Sequence, residues 1–169
     1  MDMIKQEYTS ANTSINKNRI PALFHQVIFH SGTVNLDYGG GKYDTATEYL
    51  ALQGVTNLIY DPYNRTVEHN QAVTNRVIRM GGADTVTCSN VLNVIKELEV
   101  RIDLLKNIQR LVKSDGYVYI TVYEGNKSGI GKPTTAGYQL NRRTSEYLEE
   151  VKMVFPNAYQ KGKVIIAQK

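Results

Sequence analysis

Residues 33–54, TVNLDYGGGKYDTATEYLALQG, followed by NLIYDPYNR at 57–65, decide how this chain folds. Val34 and Leu36 alternate as in a short strand that ends at Asp37, and Gly39, Gly40 and Gly41 then turn the chain. Ala46, Tyr49 and Leu50 recur at helical spacing, and a second apolar run, Leu58 to Tyr60, stops on Asp61. Strand, glycine turn, helix, strand and acid, in that order, form half of a nucleotide-binding α/β unit.

Charge separates the possible ligands. A pyrophosphate over the glycines would lie close to Asp37, and like charges about 4 Å apart at an effective dielectric of about 20 repel by about 4 kcal/mol. A ligand with a cationic amino-acid part and a ribose suits the pattern better, with Asp37 on the ammonium side and Asp61 taking the ribose hydroxyls. S-adenosylmethionine is such a ligand. At these residues the chain resembles the class I S-adenosylmethionine-dependent methyltransferases, which carry an acid before a Gly-x-Gly turn and a second acid ending strand two. Tyr43 stands where that family often has a third glycine.

The resemblance implies an α/β, Rossmann-like methyltransferase fold: a mostly parallel central sheet with a C-terminal antiparallel hairpin, helices on both faces and a shortened third strand. It implies donor contacts at Asp37, Tyr38, Gly39, Gly40, Gly41, Tyr43, Asp61, Pro62, Asn90 and Val91. Tyr123 and Glu124 are the candidates to orient or deprotonate the acceptor. Asn93, Tyr138, Gln139 and Arg142 are the expected substrate contacts. A base-methylating motif with Pro-Pro and an aromatic is missing after Asn90, which reads Asn90-Val91-Leu92-Asn93, and no Pro-Cys nucleophile is present. Cys88 lies inside a strand and reads as core. The words NVLNVI, YEG and Thr-x-x-Gly-Tyr-Gln at 134–139 further resemble methyltransferases associated with DNA phosphorothioation systems and small stand-alone enzymes of bacteria and phages. That likeness brings no substrate.

The remaining chain sets expectations of its own. At 169 residues there is room for one domain, 20–169, behind a flexible arm, 1–19, and not for a sizeable second one. A formal charge of +4 and a pI near 9.1 permit an acidic partner without demanding one; with Arg142 and Arg143 they suit a nucleic acid or a phosphorylated small molecule as acceptor, and a peptide or a natural product stays open. One cysteine, no apolar run of membrane-spanning length and no signal-peptide core in MDMIKQEYTSANTS point to a cytoplasmic, membrane-free protein. His25 and His30, five apart, point to different sides of a helix opened by Pro21, so no metal is expected there. That helix is expected beside the glycine turn. A remnant third strand is expected at 76–80, a buried strand at 84–88, an amphipathic helix at 96–112 with Arg101 on its solvated face, and a turn at 113–116 before a strand at 117–124. Residues 125–143 form a long loop read as a substrate lid. Two rivals stay open: a non-catalytic donor-binding module of the same fold, and an NAD-binding enzyme.

Overall fold

The computed structural model describes residues 5–12 and 19–169. The expected arm falls partly outside them, at 1–4 and 13–18. Among the described residues eight strands and five α-helices follow in chain order: α1 (Leu23–Gln26), β1 (Val34–Tyr38), α2 (Thr45–Ala51), β2 (Thr56–Tyr60), α3 (Val67–Arg79), β3 (Ala83–Ser89), α4 (Leu98–Leu111), β4 (Val112–Thr121), β5 (Lys132–Thr134), β6 (Gly137–Gln139), α5 (Leu148–Lys152), β7 (Tyr159–Lys161) and β8 (Val164–Gln168).

Six strands make the central sheet in the order β2-β1-β3-β4-β8-β7. The first four are parallel, and β8 and β7 close the sheet antiparallel, joined by a turn at Gly162. Pairing of β1 with β2 runs from Val34 opposite Thr56 to Tyr38 opposite Tyr60, so Asp37 and Asp61 come at neighbouring strand ends. Because the chain reverses direction across the sheet after β2, right-handed crossovers put α2 on one face and α3 and α4 on the other. Leu50 and Val55 pack with Phe24 on the first face. Leu36, Val77, Val86, Leu105, Ile120 and Ile165 form the larger core on the second. The reversal occurs between β1 and β3, and a crevice opens at their C-terminal ends, as in other open parallel sheets.

Several expectations change. Arg76–Arg79 are the last turn of α3, because Val73 and Val77 continue the buried helical stripe. The third strand is therefore absent among the described residues, and β2 is an edge. Residues 113–116 are the bulged beginning of β4, with the register shifting between Ala83 and Thr85 opposite it. Helix α1 is four residues long; Leu23 packs toward Tyr119, Val164 and Ile166, and Phe24 packs against Ala46 and Leu50 of α2, the helix that follows the glycine turn. Arg101 is 4% exposed. Its guanidinium forks onto both oxygens of Glu150 at 2.8 Å and also donates to the carbonyls of Ile95 and Lys96. A stripe reading cannot find this, since the partner is 49 residues away.

Candidate active site

The turn after β1 is shaped by two close approaches. Gly39 has φ +79°, and a Cβ there would lie 2.5 Å from Val91 Cγ2. A Cβ on Gly40 would lie 2.5 Å from Asp37 Oδ2, so only glycine lets the turn close over that carboxyl. Arg65 holds the far side of the turn, donating from Nε to the Gly41 carbonyl at 2.8 Å and from Nη2 to Tyr43 O at 3.1 Å and Asp44 Oδ1 at 2.8 Å. Asp61 ties turn and strand together. Its Oδ2 accepts the Gly41 N–H at 2.9 Å, and its Oδ1 accepts the N–H groups of Tyr63 and Asn64 at 3.0 Å.

Beside this turn is a cavity of about 650 Å³, within the usual range for a cofactor or small-molecule site, about 300–1,000 Å³. Tyr38, Gly39, Gly40, Gly41, Asp61, Pro62, Asn90, Val91, Asn93, Tyr123 and Gln139 line it, which brings most of the sequence-expected residues to one place. Val100, Asp103, Leu104 and Asn107 of α4 complete a wall. Asn107 donates to the Tyr38 hydroxyl at 2.5 Å, and Tyr38 stacks on Tyr60 with ring centroids 4.8 Å apart. Asn90 carries φ +58° at the sharp bend after β3, a conformation asparagine tolerates better than most side chains. No Lys, Arg or His lines the cavity among the described residues; its charged groups are Asp61 and Asp103.

Other expected residues lie elsewhere. Asp37 is 3% exposed and sits beneath the glycine turn, accepting from Thr87 Oγ1 at 3.0 Å. Burial pushes its carboxyl up to about 7, with the nearby Asp61 charge adding to the rise against the Thr87 bond. It supports the turn and does not line the crevice. Glu124 also lies off the cavity lining. Its carboxylate accepts from Lys163 Nζ at 2.8 Å and the Thr144 N–H at 2.6 Å, which hold it down at about 2. A group so acidic is a poor proton acceptor near neutral pH. Tyr43 gives its carbonyl to Arg65 and is not in the lining. Arg142 pairs with Glu150 at 2.9 Å and lies over the Tyr147 ring at 4.5 Å, bonded also to Glu146 O. Tyr138 is buried and stacks on Tyr8 at 5.2 Å.

Residues 125–143 contain the β5–β6 hairpin, which delivers Gln139 to the cavity. The segment 5–12 reaches it at two residues. Gln6 and Ser10 line it, Tyr63 donates to Gln6 Oε1 at 2.9 Å, and Glu7 pairs with Lys96 at 2.6 Å. Asn64, Arg65, Asn107 and Gln6 were not found by sequence reasoning. Arg65 alone left a signal, a lone cation four residues after Asp61.

A family model described as a methyltransferase domain matches residues 15–162, nearly the whole chain. The chain belongs to that methyltransferase domain family. Among solved structures, the chain is similar to PigF, whose structure holds S-adenosylhomocysteine, at 16% identity and TM-score 0.60, covering 88% of this chain and 54% of PigF. It is similar to the 1,6-didemethyltoxoflavin-N1-methyltransferase of Burkholderia thailandensis, solved with 1,6-didemethyltoxoflavin and S-adenosylhomocysteine, at 18% identity and TM-score 0.62, covering 88% and 75%. Human N-acetylserotonin methyltransferase with S-adenosylmethionine matches at 15% identity and TM-score 0.59, covering 92% and 52%. The chain thus spans about half the length of PigF and of the human enzyme. Among curated proteins none matches it by sequence. These likenesses bear on the fold, a Rossmann-like sheet closed by antiparallel strands. No helix among the described residues is long and apolar enough to cross a membrane.

Proposed function

We propose that this methyltransferase uses S-adenosylmethionine to methylate an uncharged small acceptor bound in the cavity beside the glycine turn. The observation that carries the reading is the glycine turn and Asp61 opening on one cavity whose lining offers carboxylates and amides and, among the described residues, no cation. A pyrophosphate would meet Asp61 and Asp103 with nothing to neutralise it, which favours a sulfonium nucleoside over NAD. Asp61 takes three backbone N–H groups at 2.9–3.0 Å and the Asn64 side-chain amide on both oxygens at 3.2 Å, so a ribose hydroxyl would take the place of that longer amide contact. The donor supplies an activated methyl with a good leaving group. The protein's part is to hold nucleophile and methyl in line, an effect that reaches about 7–11 kcal/mol in well-oriented systems.

The same lining favours an uncharged acceptor over the phosphorylated or nucleic-acid acceptor that net charge suggested. Tyr123 borders the cavity and is our candidate to orient that acceptor. Glu124, engaged by Lys163 and Thr144, supports β4 rather than proton transfer. We further read the short words NVLNVI and YEG as kinship with phosphorothioation-associated enzymes, and the single buried Cys88 as fitting a reducing cytoplasmic setting.

Calorimetry with S-adenosylhomocysteine and with NAD tests the donor. The thioether should bind and NAD should not, and Asp61→Ala should remove measurable binding. Unchanged affinity in that variant, or preference for NAD, would overturn the reading.

A further inference from the structure

We propose that residues 5–12 are a working part of the active site: a strap that brings Gln6 and Ser10 to the cavity and must unlatch from Lys96 and Tyr138 before a ligand enters or leaves. What fills the cavity rests on the donor reading above, whereas the strap rests on contacts of its own.

Three consecutive residues touch three separate segments. Tyr63 donates its hydroxyl to Gln6 Oε1 at 2.9 Å, Lys96 pairs with the Glu7 carboxylate at 2.6 Å, and Tyr8 stacks on Tyr138 with ring centroids 5.2 Å apart. Tyr63 follows β2 in the chain, Lys96 follows β3 and Tyr138 follows β4. Those strands are parallel, so the three segments leave the sheet at its C-terminal ends, where the crevice opens. β2 and β4 are three strand spacings apart, about 14 Å, so residues 6, 7 and 8 run across the crevice and not along one strand. Burial alternates to match: Gln6, Tyr8 and Ser10 are half-buried, while Lys5, Glu7, Thr9 and Ala11 are exposed. Gln6 and Ser10 line the cavity, and Tyr8 between them packs against the larger core.

The way the strap is held suits a part that opens. Among the described residues no backbone–backbone hydrogen bond joins 5–12 to the body of the protein. Side chains do the holding. The Gln6 amide is fixed at both ends, because Nε2 donates to the strap's own Tyr8 carbonyl at 2.5 Å while Oε1 takes the Tyr63 hydroxyl. The Glu7 N–H meets the Glu97 carboxylate at 3.2 Å, and Lys96 Nζ lies 5.9 Å from the centre of the Tyr8 ring. The Lys96–Glu7 pair is about half exposed, and exposed pairs are weak. A segment with few buried apolar contacts and no backbone ladder belongs to the low end of local stability, from which lids are drawn. Glu7, Tyr8, Lys96 and Tyr138 all lie outside the cavity lining, so what they do to a ligand they do through the strap.

The test measures association and dissociation rates of S-adenosylhomocysteine on the immobilised full chain. Tyr8→Ala, which removes the stack, should raise both rates by about fivefold or more, and Lys96→Met should raise both by about threefold. Affinity should stay within about threefold in each, because a weakened latch frees entry and exit alike. Tyr8→Phe keeps the stack and should stay within about threefold of the wild type in both rates. Rates unchanged in Tyr8→Ala, or faster dissociation alone with affinity falling in step, would overturn the proposal. Failure of the wild-type protein to bind S-adenosylhomocysteine would overturn the donor reading instead. Amide hydrogen exchange of residues 5–12 in the unliganded protein judges the latch in either case: it should be at least about threefold faster in Tyr8→Ala than in the wild type, and equal exchange would overturn the strap.

Discussion

Replacing Asp37 by Asn should change how stability depends on pH while leaving the fold in place. An isolated Asp ionises near 3.8, whereas burial under the glycine turn pushes Asp37 up to about 7. Between those values the folded chain binds the proton that the unfolded chain has released, so stability falls as pH rises from about 4 to about 7 and is flat above. At about 1.4 kcal/mol for each unit, the charged form costs the folded protein about 4 kcal/mol above neutral pH. Asparagine does not ionise. It keeps an oxygen for Thr87 Oγ1, and its Nδ2 without an acceptor costs about 1–3 kcal/mol at every pH, a vertical offset. The readout is therefore the slope. From about pH 4 to about pH 8 the wild-type melting temperature should fall relative to Asp37→Asn by about 8–16 °C, at about 2–4 °C per kcal/mol for a chain this size. Calorimetric melts of both proteins across that range make the comparison, with groups common to both cancelling in the difference. Parallel curves would refute the burial argument.

Two further substitutions probe the supports of the site. Arg101→Met leaves Glu150 buried with Arg142 as its remaining partner and strips the carbonyls of Ile95 and Lys96, so it should destabilise by about 3–5 kcal/mol in denaturant melts. The double change Arg101→Met with Glu150→Leu should recover most of that, and a loss below about 1 kcal/mol in the single variant would show the pair to be unimportant. Arg65→Ala removes the cation that clamps Gly41 and Tyr43. Two charge-assisted bonds of about 1.5–3 kcal/mol each hold the turn in the folded protein, so the melting temperature should fall by about 6 °C or more and S-adenosylhomocysteine affinity should drop about tenfold or more. Unaltered affinity would mean the turn holds its shape unaided.

The unit from β1 to β2 was legible because each step has a local cause: alternation in Val34 and Leu36, three glycines, and acids where strands stop. The same alternation also contained a warning about Asp37. Leu36 and Tyr38 face the larger core, so Asp37 shares a face with Asn35, and both bond Thr87 there. Electrostatic selection by two crevice carboxylates therefore reduces to Asp61, joined by Asp103 from α4. Arg101, Glu124 and Arg142 were misread for one reason. Each is defined by a partner distant in sequence or across a loop, Glu150, Lys163 and Thr144, and periodicity carries no information about such pairs. The strand expected at 76–80 gave way to α3 because Val77 extends its buried face right up to the glycine pair. Gln6 and Tyr8 belong to a polar segment without any period, so neither the place of Gln6 in the cavity lining nor the stacking of Tyr8 on Tyr138 could be read.

A crystal of the protein grown with S-adenosylhomocysteine tests the central claim most directly. The ribose should lie within hydrogen-bonding reach of Asp61 and the amino-acid part along Gly39 to Gly41, inside the cavity that Asn93 borders. Density for the nucleoside at another surface, or a diphosphate ligand lying across the glycine turn, would contradict the account.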